Sequence, residues 1–200
     1  MTELHLDWCS YDAAKYAVKN WHYSKSMPFG KTLKIGVWEN DSFIGSIIYA
    51  RGASKNIGSP FGLENNVVCE LQRVALTNHD TPVSRMLSIS RQLLTEKCPK
   101  MRCIVSFADT NQDHHGGIYQ ADNWYFISKT DANRFLSING EKKHTRSVGK
   151  EYGTHSVKKL KNMLGTDDIR YVKSKPKYKY AYPLDNEIRQ KLEAMSKPYP

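Results

Sequence analysis

The chain of 200 residues is long enough for one domain with a substantial core, and 40% apolar residues with 11% aromatics exclude a disordered chain. A formal charge of +10, an isoelectric point of about 9.4 and a mean hydropathy of -0.62 describe a basic, very polar surface. No apolar run approaches the roughly 18 residues of a membrane span, the N-terminus lacks the pattern of a secretory signal, and the four cysteines form no CxxC pair, which fits a reduced intracellular protein without a zinc framework.

Residues 4–8 alternate apolar and polar side chains and predict a first strand. Ser10 or Asp12 caps a helix that runs to about Asn20, with Ala13, Tyr16 and Ala17 on one face. Residues 21–30 have no regular period and end in turn formers. Their His22-Tyr23 pair, followed by Ser24, Lys25 and Ser26, marks a loop that carries chemistry on a rigid scaffold. Residues 33–39 and 43–50 predict a β-hairpin around Asn40-Asp41, and residues 51–63 a long polar loop. Residues 67–76 are the strongest strand. They carry Glu70 and Arg73 three positions apart, on opposite faces of a regular strand. Pro82 opens a helix to about Cys98, and its first turns, with Ser84, Arg85 and Ser88, offer a seat for a phosphate or pyrophosphate.

Residues 103–127 are the centre of the chain. The apolar run from Cys103 to Ala108 predicts a buried strand that ends on Asp109. A polar loop with His114 and His115 follows, and then Ile118, Ala121 and Tyr125 recur at helical intervals, with Tyr119 one step round. Open α/β sheets bind ligands in the crevice beyond the carboxyl ends of their strands, which makes Asp109, His114, His115 and Tyr119 a candidate cluster. Further on, residues 134–141 predict a strand into a turn, and residues 157–164 a basic helix stopped by Gly165. Residues 170–172 and 178–184 predict closing strands, the second an edge strand because of Pro183, and residues 185–196 a polar helical tail.

The charge is uneven. Residues 142–180 hold twelve Lys and Arg against three Asp and Glu, a balance of +9, which leaves +1 for the rest. With Tyr152, Tyr171, Tyr178 and Tyr180 among the cations, this is the composition of a polyanion-binding face: cations for phosphates, rings for bases. His144, Arg146, Tyr152, Lys158 and Lys159 are the candidate nucleic-acid contacts. The organisation expected is one catalytic domain over residues 1–184, with its basic region at 142–180, and a helical tail over 185–200.

The order of elements is similar to that of the Gcn5-related N-acetyltransferase superfamily. That resemblance implies an α/β fold with a mixed, mostly antiparallel central sheet flanked by helices. Where the superfamily seats the donor's pyrophosphate on a glycine-rich signature, this chain has Thr81-Pro-Val-Ser84-Arg85-Met86, without a glycine. A closer resemblance is to the Mom family of bacteriophage DNA-modification proteins, placed in that superfamily. It rests on Trp21-His22-Tyr23-Ser24-Lys25 with Pro28 and Gly30-Lys31, on Glu70-Leu-Gln-Arg73, and on Ser106-Phe-Ala108-Asp109. Gly117-Ile-Tyr119-Gln-Ala-Asp-Asn-Trp124, His144-Thr-Arg146-Ser147 and Tyr152-Gly153-Thr154 complete it. The family implies conversion of adenine in DNA to N6-carbamoylmethyladenine, which protects phage DNA from restriction in the cytoplasm of the bacterial host. DNA is then the acceptor, and no membrane is involved.

For that chemistry Asp109 is expected to be the general base or the group that orients it, and Tyr119 a hydrogen-bond donor or acid. His22 and Tyr23 complete the catalytic set. Arg73, Ser84, Arg85 and Ser88 are expected to hold the donor, either a coenzyme A thioester or a glycyl-tRNA. Tyr49, Trp124 or Tyr152 stacks the extruded adenine. His22, Asp109, His114 and His115 are residue types that hold a transition metal, but they follow no fixed spacing. Two other readings compete: an acyltransferase of the same superfamily acting on a protein or small molecule, and a non-catalytic nucleic-acid-binding module.

Overall fold

A computed structural model describes residues 2–52, 54, 56–131 and 134–200, without the side chains of Arg134 and Arg146. The chain forms two compact units. The first comprises Met1–Ala108, His114–Ser128 and Tyr178–Pro200, the second Asp109–Asp113 and Lys129–Lys177.

The first unit is built on a seven-stranded sheet. In chain order its strands are β1 (Leu4–Trp8), β2 (Thr32–Glu39), β3 (Ser42–Ala50), β4 (Val68–Leu76), β5 (Cys103–Ala108) and β6 (Tyr125–Lys129), with β10 (Tyr178–Pro183) returning last. Their spatial order is β1-β2-β3-β4-β5-β10-β6. The β4–β5 pair is parallel, while β1–β2, β2–β3, β3–β4 and β5–β10 are antiparallel. The β2–β3 turn places Asn40 and Asp41 at φ 47° and 61°, the left-handed pair that matches strand twist in a two-residue hairpin.

Helices cover both faces of the sheet. On one, α2 (Val83–Lys97) buries Met86, Leu87 and Leu94 against Ile35, Ile47, Leu71 and Ile104. On the other, α1 (Tyr11–Trp21) sets Ala14, Ala17 and Val18 against Ile48 and Ala75. On that face too, α6 (Asn186–Met195) sets Ile188 and Leu192 against Val68, Val105 and Ala181. Each buried Val, Leu, Ile or Met among them contributes about 1.5–3 kcal/mol by leaving water. Ser10 caps α1 by accepting the Ala13 amide, and Asp185 caps α6 by accepting that of Ile188.

Three elements depart from expectation. α1 turns Ala14, Ala17 and Val18 inward instead of the expected face of Ala13, Tyr16 and Ala17, and leaves Tyr16 exposed. The helix after the His114-His115 loop is a single turn, α3 (Gly117–Gln120). Asn123 turns left-handed at φ 57°, and the Trp124 amide folds back on the Tyr119 carbonyl, so Tyr125 already opens β6. β10 is not an edge strand but lies between β5 and β6. Pro183 is its last residue, opposite Cys103, where a missing N–H costs the ladder little.

The second unit carries a separate sheet in the order β8-β7-β9, from β7 (Arg134–Ile138), β8 (Glu141–His144) and β9 (Ile169–Lys173). Residues 170–172 therefore close this sheet and not the larger one. Two helices, α4 (Thr145–Tyr152) and α5 (Val157–Leu164), connect β8 to β9, and the core is Leu136, Ile138, Val148, Leu160 and Ile169. Gly165, at φ 61°, ends α5. Asp109–Asp113 joins this unit because Thr110 Oγ1 donates to the Pro176 carbonyl and the Lys175 amide donates to Asn111 Oδ1 at 3.1 Å. The unit holds thirteen Lys and Arg against seven Asp and Glu.

An ion pair in the first unit is fully enclosed. Arg91 on α2 meets both carboxylate oxygens of Asp122, stacks 3.9 Å over the Tyr182 ring, and shares Asp122 with the Trp124 indole N–H at 2.7 Å. Removing one partner leaves a buried charge alone. Asp122→Ala is expected to cost about 3–5 kcal/mol in a urea-unfolding experiment, and Arg91→Met with Asp122→Leu together much less than the sum of the singles.

Candidate active site

The site of interest in the first unit is the gap between β4 and β5. The two strands pair only from Val68 opposite Cys103 to Glu70 opposite Val105. Beyond that β4 keeps its bond to β3 through a register shift: Tyr49 faces Leu71 while Ile48 faces Arg73, so Gln72 is an extra residue on β4. One inserted residue reverses the alternation of side chains. Glu70 and Arg73, expected on opposite faces, therefore share the face covered by α1 and α6. Burial lowers the Arg73 pKa, and Tyr23 and Glu70 pull it back up.

Three elements converge on the gap. From β5, Ser106 Oγ lies 2.7 Å from the Leu71 carbonyl and 2.7 Å from Tyr119 Oη. A carbonyl only accepts, so Ser106 donates its proton to Leu71, and Tyr119 donates to Ser106. Burial pushes the Tyr119 phenol up to about 12, so it is protonated at neutral pH. Tyr119 reaches the gap from the face covered by α2.

From the loop after α1 come His22 and Tyr23. The Ser24 amide donates to His22 Nδ1 at 3.1 Å, which fixes Nδ1 as an acceptor and puts the ring proton on Nε2. Burial, with the charges of Arg73, His114 and Lys25, lowers the His22 pKa to about 4. His22 is thus a neutral N–H donor and not a cation. Its ring lies 4.3 Å from that of Tyr23, and Tyr23 meets His114 edge-on at 5.3 Å, which joins this loop to the one after β5. Arg73 pins the α1 loop to β4 by donating Nε to the Ser26 carbonyl at 3.1 Å and Nη1 to that of Gln72.

Asp109 belongs to the second unit, where Oδ2 is 2.7 Å from Lys177 Nζ and Oδ1 accepts from the Asn111 amide and side chain. Burial pushes this carboxyl up, but Lys177 and Asn111 outweigh it and hold the group below its usual range. His115 is exposed, and its carbonyl, not its ring, is engaged, by Tyr180 Oη at 2.6 Å. Gly116, at φ 92°, has no room for a side chain because a Cβ would stand 2.3 Å from the Tyr180 ring.

Neither Tyr49 nor Trp124 is available to stack a base. Both are enclosed, with Tyr49 Oη bonded to Ser90 and the Trp124 N–H to Asp122. In the second unit Tyr152 packs against the Leu136 cluster, His144 sits edge-on to Phe135 at 5.3 Å, and Lys158 and Lys159 are exposed on α5. Arg146 lies in α4, with its side chain outside the described atoms. Among the described residues no three His, Cys, Asp or Glu side chains stand close enough to share a metal ion.

The start of α2 bears on the donor. Ser84 is half-buried there, and Arg85 and Ser88 are exposed. Pro82 is the N-cap and supplies no N–H. The amides of Asp80 and Thr81, just ahead of it, donate to Glu39 Oε2 at 2.9 Å and Oε1 at 2.8 Å. Hydrogen bonds from the Thr81 side chain and the Asp80 amide hold the Glu39 carboxyl below its usual range. A carboxylate of the chain itself therefore fills part of the anion cradle, and with no glycine in the loop the residues do not fit a pyrophosphate in the glycine-rich manner.

Residues 3–200 match the Mom protein family. The chain belongs to that family. It is 27% identical over 209 residues to methylcarbamoylase mom of Escherichia phage Mu, covering 99% of this chain and 84% of that protein. Among solved structures it is similar to an N-acetyltransferase from Staphylococcus aureus, with a TM-score of 0.53 and 10% identity over 92% of this chain and 99% of that one. It is also similar to a Bacillus subtilis acetyltransferase in complex with CoA, with a TM-score of 0.51 and 9% identity over 92% and 100%. These likenesses establish the acetyltransferase fold, and with the Mom family they make the chain a transferase. No described helix is long and apolar enough to cross a membrane.

His22 gives a direct test of the site's electrostatics. Its folded pKa lies below the unfolded value, so its contribution to stability is complete above about pH 6.5 and is lost as pH falls towards 4. Nitrogen-15 spectra of the imidazoles are expected to show His22 protonated at Nε2 alone at pH 6, and Arg73→Gln is expected to raise its pKa.

Proposed function

We propose that the protein modifies adenine in DNA at N6, giving N6-carbamoylmethyladenine, and that the reaction takes place at the β4–β5 gap. The observation that carries this reading is the Mom-family match over residues 3–200, on a fold whose central gap gathers Glu70, Arg73, His22, Tyr23 and Tyr119. Phage DNA in the host cytoplasm is the acceptor, and protection from restriction is the consequence.

The adenine amine is weakly nucleophilic because its lone pair is delocalised into the ring, so it needs orientation and a base. Glu70 is the carboxylate placed for this, beside Arg73 on the same face of β4. As the N6–carbon bond forms, the amine proton passes to Glu70. As the bond to the leaving group breaks, Tyr119 turns its hydroxyl proton from Ser106 to the leaving atom and is reprotonated by water that enters when the products leave. His22 Nε2–H donates to charge that builds on the electrophile, as a neutral imidazole can without first losing a proton. Tyr23, 42% exposed, replaces the enclosed Tyr49 and Trp124 as the ring against which an extruded adenine stacks. Asp109 holds Lys177 and shapes the second unit.

The donor is an activated acyl group, a coenzyme A thioester or glycyl-tRNA. Glycyl and carbamoylmethyl groups are isomers, so a glycyl ester supplies the right atoms, with an isomerisation to follow. The Glu39 carboxylate at the start of α2 favours the donor without a pyrophosphate at that place. The exposed cations of the second unit are placed in the proposal against DNA phosphates.

Nucleoside mass spectrometry on DNA from cells expressing each variant at matched, low level tests the assignment. Glu70→Gln and Tyr119→Phe are expected to lower modified adenine by at least about tenfold with the fold intact, while Asp109→Asn keeps more than about a tenth. The reverse pattern would return the base role to Asp109. Unmodified adenine with the wild-type protein would remove the reading altogether. Lys158→Ala with Lys159→Ala is expected to weaken binding to duplexes of any sequence and to reduce the salt slope by about 1–2.

A further inference from the structure

The loop that carries His22 and Tyr23 continues into a protruding tip. Its base is held from several sides. The Lys25 amide donates to the His22 carbonyl and Lys25 Nζ to that of Asn20 at 2.8 Å. Arg73 holds the Ser26 carbonyl, and Met27 packs against Ala14, Ala17 and Val18. Beyond Met27 the chain has four residues before β2 begins at Thr32: Pro28, Phe29, Gly30 and Lys31. Pro28 restricts the backbone on one side, and Gly30 turns it at φ 83° on the other. Phe29 stands at the tip, 87% exposed, the most exposed large apolar side chain among the described residues and well ahead of Met163 at 59%.

Exposure alone decides nothing, since single apolar residues are common on protein surfaces. Three further facts set Phe29 apart. Its support is hydrogen-bonded and packed up to Met27. It lies six positions from Tyr23, on the loop that also carries His22. Lys25 and Lys31, both exposed, flank it with charge of the sign that DNA phosphates attract.

We propose that Phe29 is a wedge that enters duplex DNA at the target base pair and fills the space left as adenine turns out towards Tyr23. This rests on the proposed function above and names how the substrate is presented to it. A paired adenine cannot reach an enclosed reacting centre, and unstacking it leaves a hole in the helix. An apolar ring inserted from the minor or major groove offsets the lost stacking and keeps the base from returning. Lys25 and Lys31 then hold the phosphates on either side of the opened step.

The test uses purified full-length protein and duplexes of random sequence in which 2-aminopurine replaces adenine, a probe that brightens when it leaves the stack. Wild-type protein is expected to raise the fluorescence, Phe29→Ala to raise it at most a tenth as much, and Phe29→Leu, which keeps an apolar wedge, at least half as much. Affinity of Phe29→Ala for single-stranded DNA of the same composition is expected within about threefold of wild type, as is its melting temperature within a degree or two. In cells, modified adenine should fall at least tenfold for Phe29→Ala and recover for Phe29→Leu. Equal fluorescence for wild type and Phe29→Ala, or an equal loss of affinity for single strands, would overturn the wedge. Wild-type protein that modifies no adenine in cells would overturn the reading beneath it, which is a separate result.

Discussion

One extra residue, Gln72, organises the active half of this molecule. β4 cannot follow β3 and β5 at the same time once it carries a bulge: it stays with β3, and its pairing with β5 ends at Glu70. The strands then lose their pairing, and the backbone ladder at the centre of the sheet acquires a gap. The same residue reverses the alternation of side chains, which puts Arg73 beside Glu70 and within reach of the Ser26 carbonyl. The gap, the charge pair and the anchoring of the catalytic loop thus follow from a single local irregularity. The Ser106 hydroxyl bridges the unpaired strands to Leu71, so the gap is held at a definite width by a hydrogen bond where a backbone pair has been lost.

The electrostatics of the gap favour neutral donors beside one carboxylate. His22 is kept uncharged by burial and by three neighbouring cations or rings, and Tyr119 is kept protonated by its enclosure. A positively charged imidazole next to Arg73 would lower the basicity of Glu70 and repel a protonated amine. A neutral one still offers a hydrogen bond. Asp109 is a different kind of carboxylate. With Lys177 on one oxygen and Asn111 on the other, its pKa is held below the usual carboxylate range despite its burial.

Much of this was legible from local signals. The strand from Cys103 to Ala108, the helix from Val157 to Leu164 with its glycine stop, and the Asn40-Asp41 turn all depend on residues within a few positions of one another, and each stands where periodicity places it. What was not legible depends on register between distant strands. Nothing within residues 67–76 says that Gln72 is unpaired, because that is decided by β3. Nor can Pro183 report that another strand will cover both sides of β10. Tyr49 and Trp124 had the right chemistry to stack a base. Their burial is set by Ser90 on α2 and by Asp122 in its ion pair, contacts that a hydrophobic pattern does not display. The family resemblance marked Glu70, Ser106 and Tyr23 as motif residues, but their meeting at one gap required the fold.

The two faces of the sheet at the β4–β5 gap carry different side chains. Tyr119 comes in from the face that carries α2, while Glu70 and Arg73 lie on the face that carries α1. For a transfer between two substrates this separation matters. The group that activates the incoming amine and the group that protonates the departing atom must act on opposite ends of one breaking and forming axis, and neither should neutralise the other. Held on the same face, Glu70 and Tyr119 would exchange their proton directly through a short hydrogen bond. With the plane of the sheet between them, they communicate through the reacting atoms. The loop of His22, Tyr23 and Phe29 follows α1 on the Glu70 side, so in the proposed reaction the acceptor base arrives by that face and the donor by the α2 face. Glu39, bonded to the Asp80 and Thr81 amides just ahead of α2, withdraws those two amides from any anion there, which in the proposed reaction leaves the donor's activated end to be positioned by contacts within the gap.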